Sequence, residues 1–181
     1  MYNYLENLTK HKVFTSYYHK DDQYYKNYID NYFGNNIVNK SVMDGDINPD
    51  DKDEYVKMLI RNGYISDSSV IVVLIGKNTK TRKHVDWEIY AGLRQSVNGN
   101  SGLVGVLLPG MEYTNSEAWP ERLADNVKTG YCKVYSWDYF KNNFNKVIND
   151  AYNNRITLRE KIDNSRLQMK YNTTGYYNSS F

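Results

Sequence analysis

The sequence predicts an α/β domain built on a parallel sheet with helices on both faces. Three observations carry that expectation. Short β-branched runs alternate with longer stretches of helical periodicity along the chain, the pattern of strand–helix–strand crossovers. Two of the runs, Val70–Ile75 and Leu103–Leu108, contain no polar residue, so both their faces are buried, as in central parallel strands. The length of 181 residues fits one domain with a core large enough to need no disulfide or metal.

The first strand is expected over Lys12–Tyr17. A helix follows over Asp21–Phe33, opened by Asp21 and Asp22, whose charge suits the helix dipole, and closed by Gly34. Ile37–Val42 reads as a weak strand and Met43–Asp53 as a polar loop with Gly45 and Pro49. Lys52–Asn62 is helical in pattern, with Tyr55, Val56, Leu59 and Ile60 on one face and Gly63 after it. Ser69–Ile75 is the clearest strand. A polar loop, Gly76–Lys83, leads into a helix over Val85–Val97. Leu103–Leu108 is stopped by Pro109-Gly110, and residues 109–129 read as a long irregular loop. Cys132–Tyr135 is a last strand, Trp137–Tyr152 a helix, and 155–170 a further helix with Ile156, Ile162 and Leu167 as a thin stripe. Tyr171–Phe181 has little to bury and is expected to be mobile. Residues 1–154 therefore read as the domain and 155–181 as a C-terminal helix and tail.

Composition narrows the function. Twenty-three basic and 21 acidic residues are mixed along the chain for a net charge of +2, which makes no case for a nucleic-acid or membrane surface. The single Cys132 excludes an intrachain disulfide and a cysteine-based zinc site. His11, His19 and His84 lack ligand spacing, so no metal is expected. The opening MYNYLENLTK has no apolar core of a signal peptide, and the longest apolar run is far too short to span a bilayer. The expectation is a soluble, cytoplasmic protein.

Several chemistries fail on their motifs. There is no GxGxxG, P-loop or GxSxG. Asp44-Gly-Asp-Ile-Asn48 begins like a calcium loop, but Pro49 and Tyr55 stand where Gly and Glu are needed. The third strand ends without a phospho-accepting aspartate, and Ser16–Lys20 lacks the glycine of a phosphate-cradling loop.

Ligands of such sheets bind outside the carboxyl ends of the strands, here the loops after Tyr17, Val42, Ile75 and Leu108. Two segments there stand out. Val13-Phe-Thr-Ser-Tyr-Tyr-His-Lys-Asp-Asp22 is a strand running into a helix start. Ile75-Gly-Lys-Asn-Thr-Lys-Thr-Arg-Lys-His-Val-Asp-Trp-Glu-Ile89 is a buried strand leaving through a basic loop into a helix. Together they resemble the TIR domain, whose first strand reads Phe-Ile-Ser-Tyr followed by an acid and whose catalytic glutamate sits in Trp-Cys/Val-x-x-Glu-Ile/Leu. The resemblance covers residues 11–150. It is closest to the bacterial TIR-like proteins of the Thoeris antiphage system, which carry a similar Ile-Gly-x-x-Thr before the glutamate helix. One departure is His84, where the family has tryptophan.

The resemblance implies a flavodoxin-like topology with strand order 2-1-3-4-5. It also implies NAD⁺ as substrate, with no separate cofactor, and cleavage of the nicotinamide–ribose bond. Glu88 is then the catalytic carboxylate, stabilising the positive charge that develops on the ribose. Phe14, Ser16, Tyr17, His19, Arg82 and Trp87 are the expected substrate-binding residues. The helix start, with Lys80 and Lys83 beside Arg82, suits the pyrophosphate, and the aromatic rings, Tyr18 included, suit stacking. The product is ADP-ribose or a cyclic isomer of it, a signal for a separate effector protein, and a homo-oligomer is compatible.

Plainer readings compete. Glu88 is an ordinary helix glutamate, Phe14 and Trp87 core, Ser16 a turn or capping hydroxyl, His19 and Arg82 solvated loop residues, and Asn115 with its loop either a lid or a surface insertion. At the level of the whole protein, the alternatives are a non-enzymatic interaction module and a nucleoside or nucleotide N-glycosyl transferase.

Overall fold

The computed structural model describes residues 10–39, 65, 67–94 and 99–174. Its regular elements are β1 (His11–Ser16), α1 (His19–Phe33), β2 (Ile37–Asn39), β3 (Val70–Ile75), α2 (Lys83–Leu93), β4 (Gly102–Leu107), α3 (Glu121–Lys128), β5 (Lys133–Ser136), α4 (Trp137–Asn142) and α5 (Phe144–Thr157). The five strands form one parallel sheet in the order β2-β1-β3-β4-β5. This is the expected flavodoxin-like arrangement, with the switch in strand order between β1 and β3. The expected helix over 52–62 and the loop after Val42 lie outside the described residues.

The absence of alternation in β3 has the predicted cause, since all of its residues are buried. Ile71, Val73 and Ile75 pack with Phe14, Leu103 and Leu107 beneath α2 and α3. Val70, Val72 and Leu74 pack with Val13, Val104 and Val106 beneath α1, α4 and α5. Helices thus cover both faces. Gly92 in α2 permits a close helix–sheet approach: a Cβ there would stand 1.9 Å from Ile71 Cδ1.

Four segments depart from the sequence expectation. Residues 109–129 are not one irregular loop, because Glu121–Lys128 is helical. Its buried face is Arg122, Leu123 and Asn126, mostly polar, which hid the periodicity. The helix after β5 is broken at Asn143 into α4 and α5. The helix expected to start at Val85 starts at Lys83 and ends at Leu93.

Residues 155–170 are not a helix. α5 ends at Thr157, a short 3₁₀ turn covers Arg159–Lys161, and the chain runs on as an irregular strap. Of the expected stripe only Ile162 packs on the core, while Ile156 is 67% and Leu167 89% exposed. The strap through Thr173 is held by hydrogen bonds to α2 and the loop before it. Among the described residues, no helix is long and apolar enough to cross a membrane.

Candidate functional site

β1 and α2 meet at the carboxyl edge of the sheet. Ser16 is the last residue of β1, paired with Val73 of β3. Glu88 lies in the middle of α2, one turn after His84. The Ser16 hydroxyl donates to Glu88 Oε2 at 2.5 Å, joining residues 72 apart in sequence. Ser16 is fully buried and Glu88 is 3% exposed, so Glu88 is no ordinary surface glutamate. A carboxylate taken out of water needs donors around it, and Ser16 is one.

His84 shares the Glu88 face of α2 through i, i+4 spacing. Its Nε2 lies 3.1 Å from the Tyr17 carbonyl oxygen. A carbonyl only accepts, so Nε2 carries the proton. Burial pushes the His84 pKa down to about 4, against the Tyr17 carbonyl, with His19, Arg82 and Lys83 adding to the depression. The imidazole is therefore neutral at physiological pH.

The loop from β1 into α1 supplies the rest of the rim. The His19 ring lies 4.2 Å from the Tyr17 ring and 6.2 Å from that of His84. The Arg82 guanidinium stands 4.0 Å above the Tyr18 ring. Its Nε is buried without a hydrogen-bond partner. The site side chains brought together are therefore Ser16, Tyr18, His19, Arg82, His84 and Glu88.

The other expected residues are placed differently. Tyr17 contributes its carbonyl, while its ring packs on the opposite face of the sheet and its hydroxyl donates to Gln23 Oε1 at 2.8 Å. Phe14 and Trp87 are each 1% exposed within one core cluster. Trp87 donates its indole N–H to the Met169 carbonyl at 2.8 Å, so its ring offers no open stacking face. Lys83 lies over the Trp87 ring, and Lys80 donates to the Glu117 carbonyl. Asn115 is exposed, just before a 3₁₀ turn.

Two residues of this region escaped the sequence reading. His84 entered only as one of three scattered histidines and as a departure from a motif, although its spacing from Glu88 placed both on one helix face. Asp22 was read as a helix-start charge, yet it is buried against the loop after β3. Thr79 Oγ1 donates to Asp22 Oδ2 at 3.2 Å and accepts from the Gly76 amide at 2.9 Å. A Cβ on Gly76 would stand 2.3 Å from Asp22 Oδ1, so only glycine lets the carboxylate in. Burial raises the Asp22 pKa to about 6, opposed by the Thr79 hydrogen bond and assisted by the charge of Asp21. Asn78 donates to Asp21 at 2.7 Å beside it. This clamp fixes the start of α1 to the loop that launches α2.

Among the described residues, no group of histidine, cysteine and carboxylate side chains gathers to hold a metal. The family model described as the Thoeris protein ThsB, TIR-like domain, matches residues 14–113, a span that contains Ser16, His84 and Glu88. No curated protein matches the chain.

Proposed function

The chain belongs to the TIR-like domain family of the Thoeris protein ThsB, and from that membership we propose that it cleaves the nicotinamide–ribose bond of NAD⁺ in antiphage defence. The observation that carries this reading is the buried Glu88, held by Ser16 at the carboxyl edge of the sheet. In the reaction the bond between ribose C1 and the nicotinamide nitrogen breaks, and its electron pair leaves with nicotinamide. Positive charge develops on the sugar, as in glycoside hydrolysis. A carboxylate in a dry site stabilises that charge far better than it would in water. Ser16 orients Glu88, and the Arg82 guanidinium beside Tyr18 suits the pyrophosphate. Either water or a nucleophilic atom of the same molecule then attacks C1, giving ADP-ribose or a cyclic isomer. In this reading the enzyme works in the cytoplasm and its product signals to a separate effector.

The interaction-module reading draws on a different observation, the exposed tyrosines of α1 and α4: Tyr24, Tyr32 and Tyr139. One experiment separates the two. The purified chain is incubated with NAD⁺, alone and in extract of phage-infected cells, beside Glu88→Ala, and products are resolved by chromatography and mass spectrometry. Nicotinamide release that is lost in the variant supports the enzyme, and the co-product identifies the acceptor. Absence of release in both settings supports the interaction module.

A further inference from the structure

We propose that the strap of residues 162–173 is a clasp that sets Glu88 against Ser16, with Asn172 as a positioning residue that caps the Glu88 helix from outside. For its consequence on turnover the proposal rests on the NAD⁺-cleavage reading. Its geometry stands without it.

α2 brings no capping side chain of its own, because Arg82 occupies the N-cap. An orphan amide of a first turn needs an acceptor. Asn172 Oδ1 accepts from the Lys83 amide at 2.9 Å across 89 residues of sequence. Beside it the Thr173 amide donates to the Thr81 carbonyl at 3.0 Å. Farther along, the Met169 amide donates to Asp86 Oδ2 at 2.9 Å, and Trp87 returns its indole N–H to the Met169 carbonyl. Asn164 Nδ2 donates to the Tyr90 carbonyl at 3.1 Å. The bonds follow one stripe, Lys83–Asp86–Trp87–Tyr90, which lies about a third of a turn from the His84–Glu88 stripe at about 100° per residue.

The strap is itself fixed. Arg166 pairs with Asp125 and Glu121 of α3, and Asn126 exchanges hydrogen bonds with the Asp163 backbone. Near its C-terminal end α2 rests directly on Ile71 at Gly92. The helix thus rests on the sheet at Gly92 and is held along its outer stripe, from Lys83 to Tyr90, by the strap, and Glu88 lies within that span. The strap does not reach Glu88. It acts by fixing where α2 lies, and a misplacement of about 1 Å in a reacting group is enough to lose about a hundredfold in rate.

The test uses the full chain with Asn172→Leu, which removes the acceptor, and Asn172→Asp, which keeps it and suits the helix dipole. Asn172 is exposed, so both variants are expected to fold. In Asn172→Leu we expect faster hydrogen exchange of the Lys83 amide, a shifted carboxyl ¹³C resonance of Glu88, and about a tenfold fall in kcat with KM within about twofold. Asn172→Asp restores all three. An unmoved Glu88 resonance in Asn172→Leu overturns the proposal, as does a fall in kcat no larger than the fraction of chain unfolded. If the unaltered chain releases no nicotinamide from NAD⁺, the functional reading fails and the Glu88 resonance alone decides the clasp.

Discussion

Asp22→Asn removes a charge that the fold holds at a loss. The carboxylate is buried between α1 and the loop after β3, and its pKa rises from 3.8 to about 6. Each pKa unit corresponds to about 1.4 kcal/mol, so ionised Asp22 lowers folding stability by up to about 3 kcal/mol. Because the folded pKa is raised, the stabilising contribution is complete below the unfolded value near 3.8 and is lost as pH rises through about 6. Asparagine has nearly the same shape, carries no charge, and retains an oxygen for the Thr79 hydroxyl. The assay is denaturant unfolding of both chains from pH 4 to pH 8. At pH 8 the variant should be more stable by about 1–3 kcal/mol, a rise of several degrees in Tm for a domain of this size. Near pH 4 the advantage should vanish. An advantage independent of pH, or a variant less stable at pH 8, would refute the assignment of burial as the governing effect.

Three further outcomes follow from the packing. Arg122 is fully buried and its Nε donates to Asp86 Oδ1 at 2.8 Å, so Arg122→Met strands the carboxylate and should lower unfolding stability by about 3–5 kcal/mol, measured by denaturation. Gly92→Ala sets a methyl against Ile71. It should destabilise by about 1–3 kcal/mol and lift α2, so nicotinamide release should fall more than the folded fraction does. Ser16→Ala removes the hydroxyl that donates to the buried Glu88; unfolding stability should fall by about 1–3 kcal/mol because the carboxylate loses a donor, and kcat for nicotinamide release should fall by more than the folded fraction does.

What the sequence revealed depended on how local the signal was. β3 and β4 were legible because an unbroken apolar run has one simple cause, burial on both faces. α3 was not, because Arg122 and Asn126 fill its buried face and are satisfied by Asp86, Asn164 and the Asp163 carbonyl, all distant in sequence. The strap was hidden for the same reason: its apolar residues gave a false helical stripe, while its real partners on α2 lie about 75–90 residues away in the chain. At the site, Ser16 and Glu88 were readable from two short segments. Trp87 carried two readings, a stacking ring from its residue type and core from its helical spacing, and the packed structure puts its ring within the core. Asp22 looked like a helix-start charge because nothing local announces that Gly76 leaves room for it.

The central claim is that the charge of Glu88 drives cleavage of the nicotinamide–ribose bond. Glu88→Gln keeps the shape and an acceptor for Ser16 but removes that charge. The decisive measurement is the rate of nicotinamide release from saturating NAD⁺ by the unaltered chain and by Glu88→Gln, with folding of both verified. The account predicts a loss of at least about a hundredfold in the variant, the scale of an electrostatic contribution in a dry site. Release by Glu88→Gln at close to the unaltered rate would contradict it.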